Sequence, residues 1–400
     1  MFFFFLELPK GYEAVFPKQK ITGMNSNATN YTKNMMVYTT IPPNEEDADG
    51  NTEWIVEGPT KQKVVRAPGF PGPVPKVLGR PSYVIRPTPD MGLGCFATRA
   101  IQVGDLVFAE RPLLVSPRGL KLLDMDSVSL IQQYGMHKYQ MIALAEYEKV
   151  LEVAVGRMSD ESRKAFMALA NNHQEDGSGP ILGIIRTNGY GTSGLFDGPK
   201  VLPDQTNVYS AVLKIGSRIN HRYMWFVLDF LLRKYWYMRF FTSCRPNIGH
   251  EFDLSSFSYQ FRAKRDIKAG EQLFYSYCET DQSAAARKAE LAPYGVVCKC
   301  FSCVNATPES DKFREEYQKR VIEIGSQVMQ WISNPSPYLK RMLEIHQGLI
   351  DEGLQSTTAF VNGLQTISAM YKLMGQSRKQ KEFADEFAKY NRVTKLPVLL

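Results

Sequence analysis

The distribution of apolar and polar residues divides the chain into stretches with different patterns. Residues 1–80 show neither helical nor strand periodicity and include a proline- and glycine-rich run, so this region is predicted to be poorly ordered. Beyond it, short apolar segments bounded by turn residues predict strands, for example at 83–85, 94–97 and 106–109. The chain therefore combines a non-periodic N-terminal region with a β-rich region.

Helical periodicity interrupts the strand pattern from about Leu120 to His173, and a glycine-rich stretch follows at 176–198. Apolar side chains recur there three and four residues apart along one helix face, at Leu144, Tyr147, Val150, Leu151 and Ala154. Ser159 precedes two acidic residues and is predicted to cap the N-terminus of a further helix. Strand-like segments return between Phe257 and Tyr277, so the helical block is an insertion within the β-rich region.

Residues 308–400 have the pattern of consecutive helices. Apolar residues step by three and four up to a stop at Asn334-Pro335, at Phe313, Tyr317, Val321, Ile324, Val328 and Trp331. Three further helical segments are predicted at about 337–352, 357–374 and 377–392. Such a series of helical hairpins indicates a small helical domain, without the signature of a known repeat.

Composition limits the classes of protein to which the chain can belong. Its 400 residues suggest two or three folded units, and an apolar fraction of 44% is typical of globular proteins. The net charge of +7 is modest for this length and does not support direct binding of nucleic acid. No apolar segment is long enough for a membrane span, and the apolar N-terminal run lacks the basic region of a signal peptide. We therefore expect a protein of the nucleus or cytoplasm that is not secreted.

Four of the six cysteines have the spacing of a metal site. Cys298, Cys300 and Cys303 form a C-x-C-x-x-C cluster, and Cys244 is the candidate for the fourth ligand. Four thiolates suit a tetrahedral, structural zinc ion with no open position for water. A redox-active set of thiols is the alternative. The other two cysteines are predicted to be small buried residues, and the six together give no framework of disulfides.

Three further motifs lie around these cysteines. Gly92-Leu93-Gly94 is a glycine turn, and the strand-like segment Gly270–Tyr277 ends in alternating tyrosines. Asn220-His221 and Ser243-Cys244-Arg245-Pro246-Asn247 look like the two halves of an N-H-S-C-x-P-N motif that residues 222–242 separate. In this order the motifs resemble those of the SET-domain protein lysine methyltransferases.

The resemblance implies an α+β fold with an irregular, β-rich SET domain at 81–303. A helical insertion at about 118–210, post-SET cysteines at 298–303 and a helical C-terminal region at 308–400 complete the expected organisation. This arrangement is similar to the SET-and-MYND subfamily and its fungal relatives. The insertion holds no Cys/His cluster for a MYND finger, so partner binding by such a finger is not expected.

The resemblance also implies transfer of a methyl group from S-adenosylmethionine to a lysine of a protein substrate. The residues that match cofactor-binding positions are Gly92, Leu93, Gly94, Asn220, His221 and Tyr277. Tyr277 also matches the catalytic tyrosine, and Tyr275 is expected to narrow the lysine channel and to favour monomethylation. Each motif also has a purely structural explanation when it is taken alone. Gly92–Gly94 could be a plain turn, His221 a histidine of the core, and Tyr275 and Tyr277 alternate residues of an ordinary strand.

Residues 222–242 leave two interpretations of the interrupted motif open. The segment is either a helix peculiar to this chain or a translated intron, because codons for Arg222 and Ser243 permit splice junctions that would restore Asn-His-Ser-Cys-Arg-Pro-Asn in frame. If the interruption is genuine, a non-catalytic SET scaffold whose C-terminal helices bind a protein partner is the alternative to an enzyme. Cofactor binding distinguishes these two functions.

Overall fold

A computed structural model describes residues 36–43, 47–88, 92–118, 127–174, 176–192, 208–219, 241–242, 244–291, 298 and 300–394, together with residues 8, 10, 12 and 195. Within them the chain has an α+β fold with a β-rich core, a helical insertion and a helical C-terminal region, as the sequence predicts. Asn220, His221 and residues 222–240 of the insert lie outside the described residues. None of the described helices is long and apolar enough to cross a membrane.

The described strands and helices follow one another along the whole chain. The strands are β1 (Met36–Ile41), β2 (Thr52–Glu57), β3 (Tyr83–Pro87), β4 (Leu93–Ala97), β5 (Leu106–Glu110), β6 (Leu114–Pro117), β7 (Gly189–Thr192), β8 (Tyr209–Val212), β9 (Phe241–Thr242), β10 (Ile248–Asp253), β11 (Ser258–Ala263) and β12 (Ser276–Tyr277). The helices are α1 (Gly58–Val65), α2 (Ser127–Tyr134), α3 (Met136–Gly156), α4 (Asp160–Met167), α5 (Pro180–Asn188), α6 (Ala284–Leu291), α7 (Phe301–Val304), α8 (Pro308–Ser326), α9 (Val328–Ser333), α10 (Pro335–Asp351), α11 (Thr358–Leu373) and α12 (Ser377–Thr394).

A five-stranded sheet with the order β1-β2-β6-β8-β7 joins parts of the chain that are far apart in sequence. β2 and β6 pair in parallel, and the other neighbours are antiparallel. Parallel pairing requires a long crossover, and β3, β4 and β5 lie within the crossover between β2 and β6. The N-terminal strands are therefore integrated with the strands that follow.

The prediction that residues 1–80 are poorly ordered is wrong for residues 36–57. β1 and β2 belong to the five-stranded sheet, and Trp54 of β2 is fully buried, with its ring centroid 5.1 Å from that of Phe257. Five consecutive residues of β2 are buried, so the strand lacks the alternation by which exposed strands are recognised. Of its two glutamates, Glu53 is the buried one, and Arg157 pairs with it at 2.9 Å.

A second sheet, β10-β11-β5, and two short strand pairs complete the β-rich core. β3 pairs with β4, and β9 pairs with β12. An isolated bridge between Phe96 and Gln272 connects β4 with the segment before β12. This bridge, called the β4 bridge below, brings the glycine turn at 92–94 next to the strand that contains Tyr277.

The helical insertion packs against the five-stranded sheet. Leu151 of α3 and Phe166 of α4 share a hydrophobic core with Ile55 of β2. Ser159 caps α4 as predicted, because its side chain accepts a hydrogen bond from Ser162 N at 3.2 Å. The insertion expected at about 118–210 is not helical throughout, since it includes β7 and the beginning of β8.

Helices α8–α12 form the C-terminal region around a hydrophobic core of their own. The helices predicted after Asn334 correspond to α10, α11 and α12 within a few residues. Thr307 and Thr357 cap α8 and α11 by accepting hydrogen bonds from backbone N–H groups. The segment predicted as one helix before Asn334 is divided, because α8 ends at Ser326 and α9 begins at Val328.

Candidate functional site

The glycine turn Gly92-Leu93-Gly94 lies where β3 and β4 meet. Gly92 has a φ of +66°, which residues with a Cβ adopt only with strain. A Cβ on Gly94 would lie 2.7 Å from both Gln272 Nε2 and Thr88 Cγ2. Glycine at position 94 therefore permits the close approach of the segment that leads to β12.

Asn247 fixes the segment before the two predicted site tyrosines. It is fully buried, its side-chain amide donates to Gln272 O at 2.8 Å, and its side-chain oxygen accepts from Phe274 N at 2.7 Å. Its backbone N–H donates to Phe274 O at 3.1 Å, and its carbonyl accepts from Lys264 N at 2.8 Å. Asn247 therefore holds the end of the Ser243–Asn247 motif against the strand segment that continues to Tyr275.

An aromatic group surrounds Tyr275, the residue predicted to narrow a lysine channel. The ring of His250 lies 4.7 Å from that of Tyr275, the ring of Tyr190 lies 6.2 Å from Tyr275, and Tyr259 packs against His250 at 5.4 Å. We call Tyr190, His250, Tyr259 and Tyr275 the Tyr275 cluster. Tyr190 and Tyr259 are buried, whereas His250 and Tyr275 are half-buried. The cluster is thus an aromatic wall of which two rings stay partly accessible.

Burial keeps the titratable members of the Tyr275 cluster uncharged. Desolvation, helped by the positive charge of Lys264, lowers the pKa of His250 to about 4, so its imidazole is neutral near neutral pH. Burial also raises the pKa values of Tyr259 and Tyr275 above their usual range. Such a wall favours the neutral form of an amine beside it, because desolvation penalises the ammonium ion.

Tyr277 lies in β12, whose backbone pairs with that of β9. Tyr277 pairs with Phe241, and Ser276 pairs with Thr242. The described part of the chain includes neither the side chain of Tyr277 nor any atom of Asn220-His221. Their assigned roles in catalysis and cofactor binding therefore stay predictions.

Glu110, at the end of β5, holds the turn that leads to Asn220. Its carboxylate accepts hydrogen bonds of 2.6–3.1 Å from the backbone N–H groups of Lys214, Ile215 and Gly216. Burial raises the pKa of Glu110 to about 7, and the three amides act against this shift. Sequence reasoning missed Glu110, because a strand pattern does not show which backbone groups a carboxylate will meet.

The four cysteines predicted as metal ligands come together in the structure. The sulfur atoms of Cys244, Cys298, Cys300 and Cys303 lie within 4.8 Å of one another. Cys244 Sγ is 3.8 Å from Cys298 Sγ and 3.3 Å from Cys303 Sγ. A tetrahedral zinc ion with Zn–S bonds of about 2.3 Å requires sulfur–sulfur distances of about 3.8 Å. The spacing and chemistry of the four thiols therefore fit a structural zinc ion.

A fifth thiol lies beside this group. Cys278 is fully buried, as predicted, and its sulfur lies 3.6 Å from Cys244 Sγ. Hydrogen bonds with the surrounding thiols, that of Cys278 foremost, and burial raise the pKa of Cys244 and so disfavour its thiolate. A divalent cation removes this penalty by stabilising the thiolates directly, which is a further reason why a metal ion suits the group.

Arg314 of α8 connects the cysteine group to the C-terminal helices. Its buried guanidinium donates to Thr280 O at 2.5 Å and to Cys244 O at 3.4 Å. The same side chain pairs with the Glu352 carboxylate at 2.8 Å and also donates to Glu352 O at 2.8 Å. One side chain therefore joins the segment after β12, the metal-ligand segment and the end of α10.

Comparison with known proteins identifies the β-rich region. Residues 92–278 match the family model of the SET domain. The matched region includes the glycine turn, Asn247, the Tyr275 cluster and Tyr277. It is also 26% identical over 222 residues to histone-lysine N-methyltransferase set5 of Schizosaccharomyces pombe, over 55% of this chain and 50% of that protein. The chain thus spans about half the length of the relative, and both findings support the resemblance to SET-domain lysine methyltransferases.

Proposed function

We propose that the chain transfers a methyl group from S-adenosylmethionine to a lysine side chain of a protein substrate. The observation that carries this proposal is the placement of the Tyr275 cluster next to the β4 bridge within the SET domain. The glycine turn lies on one side of the bridge, and the segment that leads to Tyr275 and Tyr277 lies on the other. The name of the yeast relative supports a histone substrate, and a non-histone protein is the alternative.

The proposed site prepares the lysine amine for the reaction. When bound, S-adenosylmethionine supplies a methyl group that is bonded to a positively charged sulfur. As the lysine nitrogen bonds to the methyl carbon, the carbon–sulfur bond breaks and the sulfur keeps its electron pair. The amine attacks through its lone pair, so its ammonium form, with an ordinary pKa of about 10.4, must first lose its proton. The uncharged wall of the Tyr275 cluster favours that loss, and the Tyr277 phenol is assigned the role of orienting the amine.

The remaining chain residues have supporting roles in this proposal. Gly92, Leu93, Gly94, Asn220 and His221 would hold the cofactor. Zinc at the four cysteines would be structural, since a closed set of thiolates leaves no position for water. The C-terminal helices are proposed to bind a protein partner, and the protein is proposed to act in the nucleus or the cytoplasm.

Binding of S-adenosylhomocysteine tests the proposal. We expect the zinc-loaded chain, or its form without residues 222–242, to bind this product in a calorimetric titration and to transfer labelled methyl groups to lysines of cell-lysate proteins. The interruption of the N-H-S-C-x-P-N motif is the observation that favours a non-catalytic scaffold. Folded, zinc-loaded protein that binds no S-adenosylhomocysteine in either form would support the scaffold and contradict the enzyme.

A further inference from the structure

His250 is the polar member of the Tyr275 cluster that sequence reasoning did not select. It lies in β10, opposite Phe261 of β11, and its ring contacts those of Tyr275, Tyr190 and Tyr259 at 4.7, 5.1 and 5.4 Å. The residue is surrounded by these rings and still half-buried. His250 therefore keeps part of its surface accessible.

The hydroxyl groups of the two buried tyrosines point to other parts of the protein. Tyr190 donates from its hydroxyl to Gly216 O at 2.8 Å, and Tyr259 donates to Thr192 Oγ1 at 2.9 Å. No hydrogen bond joins the imidazole of His250 to another residue in the described part of the chain. The imidazole is therefore suited to bond a group that enters from outside.

We propose that His250 is a specificity-determining residue, whose neutral imidazole hydrogen-bonds the amine of the substrate lysine and, together with Tyr275, limits how many methyl groups the lysine receives. This inference rests on the proposed methyltransferase function and deepens it. In this inference the imidazole of His250, on β10, is a second polar group that contacts the lysine amine, beside the hydroxyl expected from Tyr275.

The low pKa of His250 excludes a role as the base that activates the lysine. With a pKa of about 4, the imidazole would take a proton from an ammonium group of pKa about 10.4 with an equilibrium constant on the order of 10⁻⁶. The neutral ring is instead a hydrogen-bonding group of fixed position. Its effect is therefore on which amine fits, rather than on the loss of the proton.

The number of N–H groups on the amine explains how a polar wall selects the product. A neutral lysine amine has two N–H groups, a monomethylated amine has one, and a dimethylated amine has none. A methyl group added to the amine turns an apolar surface toward the imidazole and leaves the imidazole without this bond, which is unfavourable in a desolvated site. An apolar residue at position 250 removes this part of the selection.

Product analysis of His250 variants tests the inference without knowledge of the substrate protein. The variants His250→Phe, His250→Leu and His250→Asn are made in the form of the chain that binds S-adenosylhomocysteine. Each is incubated with lysate proteins and S-adenosylmethionine carrying a deuterated methyl group. Acid hydrolysis and mass spectrometry then give the ratio of di- and trimethyllysine to monomethyllysine. His346→Phe is the matched control, because the ring of His346 is likewise packed on an aromatic ring, that of Phe360 at 4.8 Å, within the C-terminal helices.

We expect a mainly monomethylated product from the unmodified chain. His250→Phe and His250→Leu should raise the ratio of higher methylation about fivefold to tenfold, on the order expected for one lost hydrogen bond. His250→Asn, which keeps a polar group, should change it less, and His346→Phe should not change it. Leucine is smaller than phenylalanine. If the His250→Phe variant fails to fold, His250→Leu can therefore still be compared with the unmodified chain.

Three results would separate the inference from the proposed function. An unchanged product ratio in an active His250→Leu variant overturns the role of His250 and leaves the methyltransferase standing. Mainly trimethylated product from the unmodified chain also overturns it. Absence of labelled methyllysine from every form, including the unmodified chain, contradicts the proposed function itself.

Discussion

Glu110 is a buried carboxylate that fixes the chain close in sequence to Asn220, a predicted cofactor ligand. Its hydrogen bonds to the amides of residues 214–216 hold the start of a 3-10 turn, Gly216–Arg218, that ends two residues before Asn220. The hydroxyl of Tyr190 bonds the carbonyl of Gly216 in the same turn. The turn is thus held from β5 and from β7, and a shift of either would move the predicted cofactor ligands.

We predict that Glu110→Gln weakens binding of S-adenosylhomocysteine about tenfold. The amide group of glutamine places N–H donors against backbone N–H donors, so at least one hydrogen bond is lost and the turn is displaced, at a cost of about 1–3 kcal/mol. Calorimetric titration gives the affinity, and urea unfolding gives the stability.

Glu148→Gln is the matched control for Glu110→Gln. Glu148 is also buried and accepts two backbone N–H groups, from Ile181 at 2.8 Å and Leu182 at 2.7 Å, at the start of α5. We expect a similar loss of stability and an unchanged affinity. Equal affinities of the two variants would mean that Glu110 has only a structural role.

The sequence predicted some members of the candidate site, but it did not predict which residues they contact. The cysteine spacing indicated three members of the metal group, because Cys298, Cys300 and Cys303 lie on one tight loop and are close whatever the rest of the fold does, and Cys244 was the candidate for the fourth. Glu110 and His250 gave no such signal, since their partners come from strands that only the folded chain brings near. Asn247 was part of a recognised motif, but its bonds to residues 272–274 required the structure.

The elements of the N-terminal region show where periodicity is a poor guide. β2 is buried along most of its length and carries Glu53 inside the core, so neither alternation nor polarity indicated a strand. The C-terminal helices were predicted well, because each exposes one face and repeats its apolar positions every three or four residues. Local patterns were therefore reliable for elements with one exposed face.

The loop at 298–303 carries three of the four proposed zinc ligands, and we expect its conformation to depend on the bound zinc ion. We predict that Cys300→Ser lowers zinc content from one ion per chain to a small fraction and makes the loop at 298–303 sensitive to protease. The three remaining thiolates bind zinc less tightly and leave one coordination position open. Elemental analysis of freshly purified protein measures the content. Unmodified protein without zinc would contradict the assignment of the site.

Arg314 should stabilise the junction between the metal loop and the C-terminal helices. We predict that Arg314→Met costs about 3 kcal/mol of unfolding free energy, because it leaves the Glu352 carboxylate and two backbone carbonyls without their donor. Arg320→Met is the control on the same helix. Arg320 pairs with Glu316 at the surface, where both side chains are 39% exposed, and such pairs contribute about 0.5 kcal/mol. Similar unfolding curves for the two variants would exclude the proposed junction.

At the scale of the whole molecule, residues 222–242 separate the two halves of the N-H-S-C-x-P-N motif. Without this segment, Ser243 follows His221 directly. We expect Asn220 and His221 then to take the backbone positions of Phe241 and Thr242, which pair with Tyr277 and Ser276. On this expectation, removal of the segment restores the motif and sets its first two residues opposite the strand of the predicted catalytic tyrosine.

We predict that the chain without residues 222–242 binds S-adenosylhomocysteine at least tenfold more tightly than the chain with them. The expected reason is the return of Asn220 and His221 to the β9 position, which restores their contacts with the ligand. Parallel titrations of both forms measure the difference, and sequencing of the messenger shows which form is made. Equal affinities, with an abundant transcript that keeps the segment, would establish it as a genuine helix or loop.

The metal group also sets the order in which the molecule can be completed during its synthesis. Cys303 follows Cys244 by 59 residues, and at about 5–20 residues per second the last ligand is made about 3–12 seconds after the first. Until then the proposed set of zinc ligands is incomplete, and the segment around Cys244 lacks that anchor. On the proposed zinc assignment, completion of the β-rich region depends on residues translated after it, and a ribosome that stalls before Cys303 is expected to leave that region exposed to chaperones and proteases.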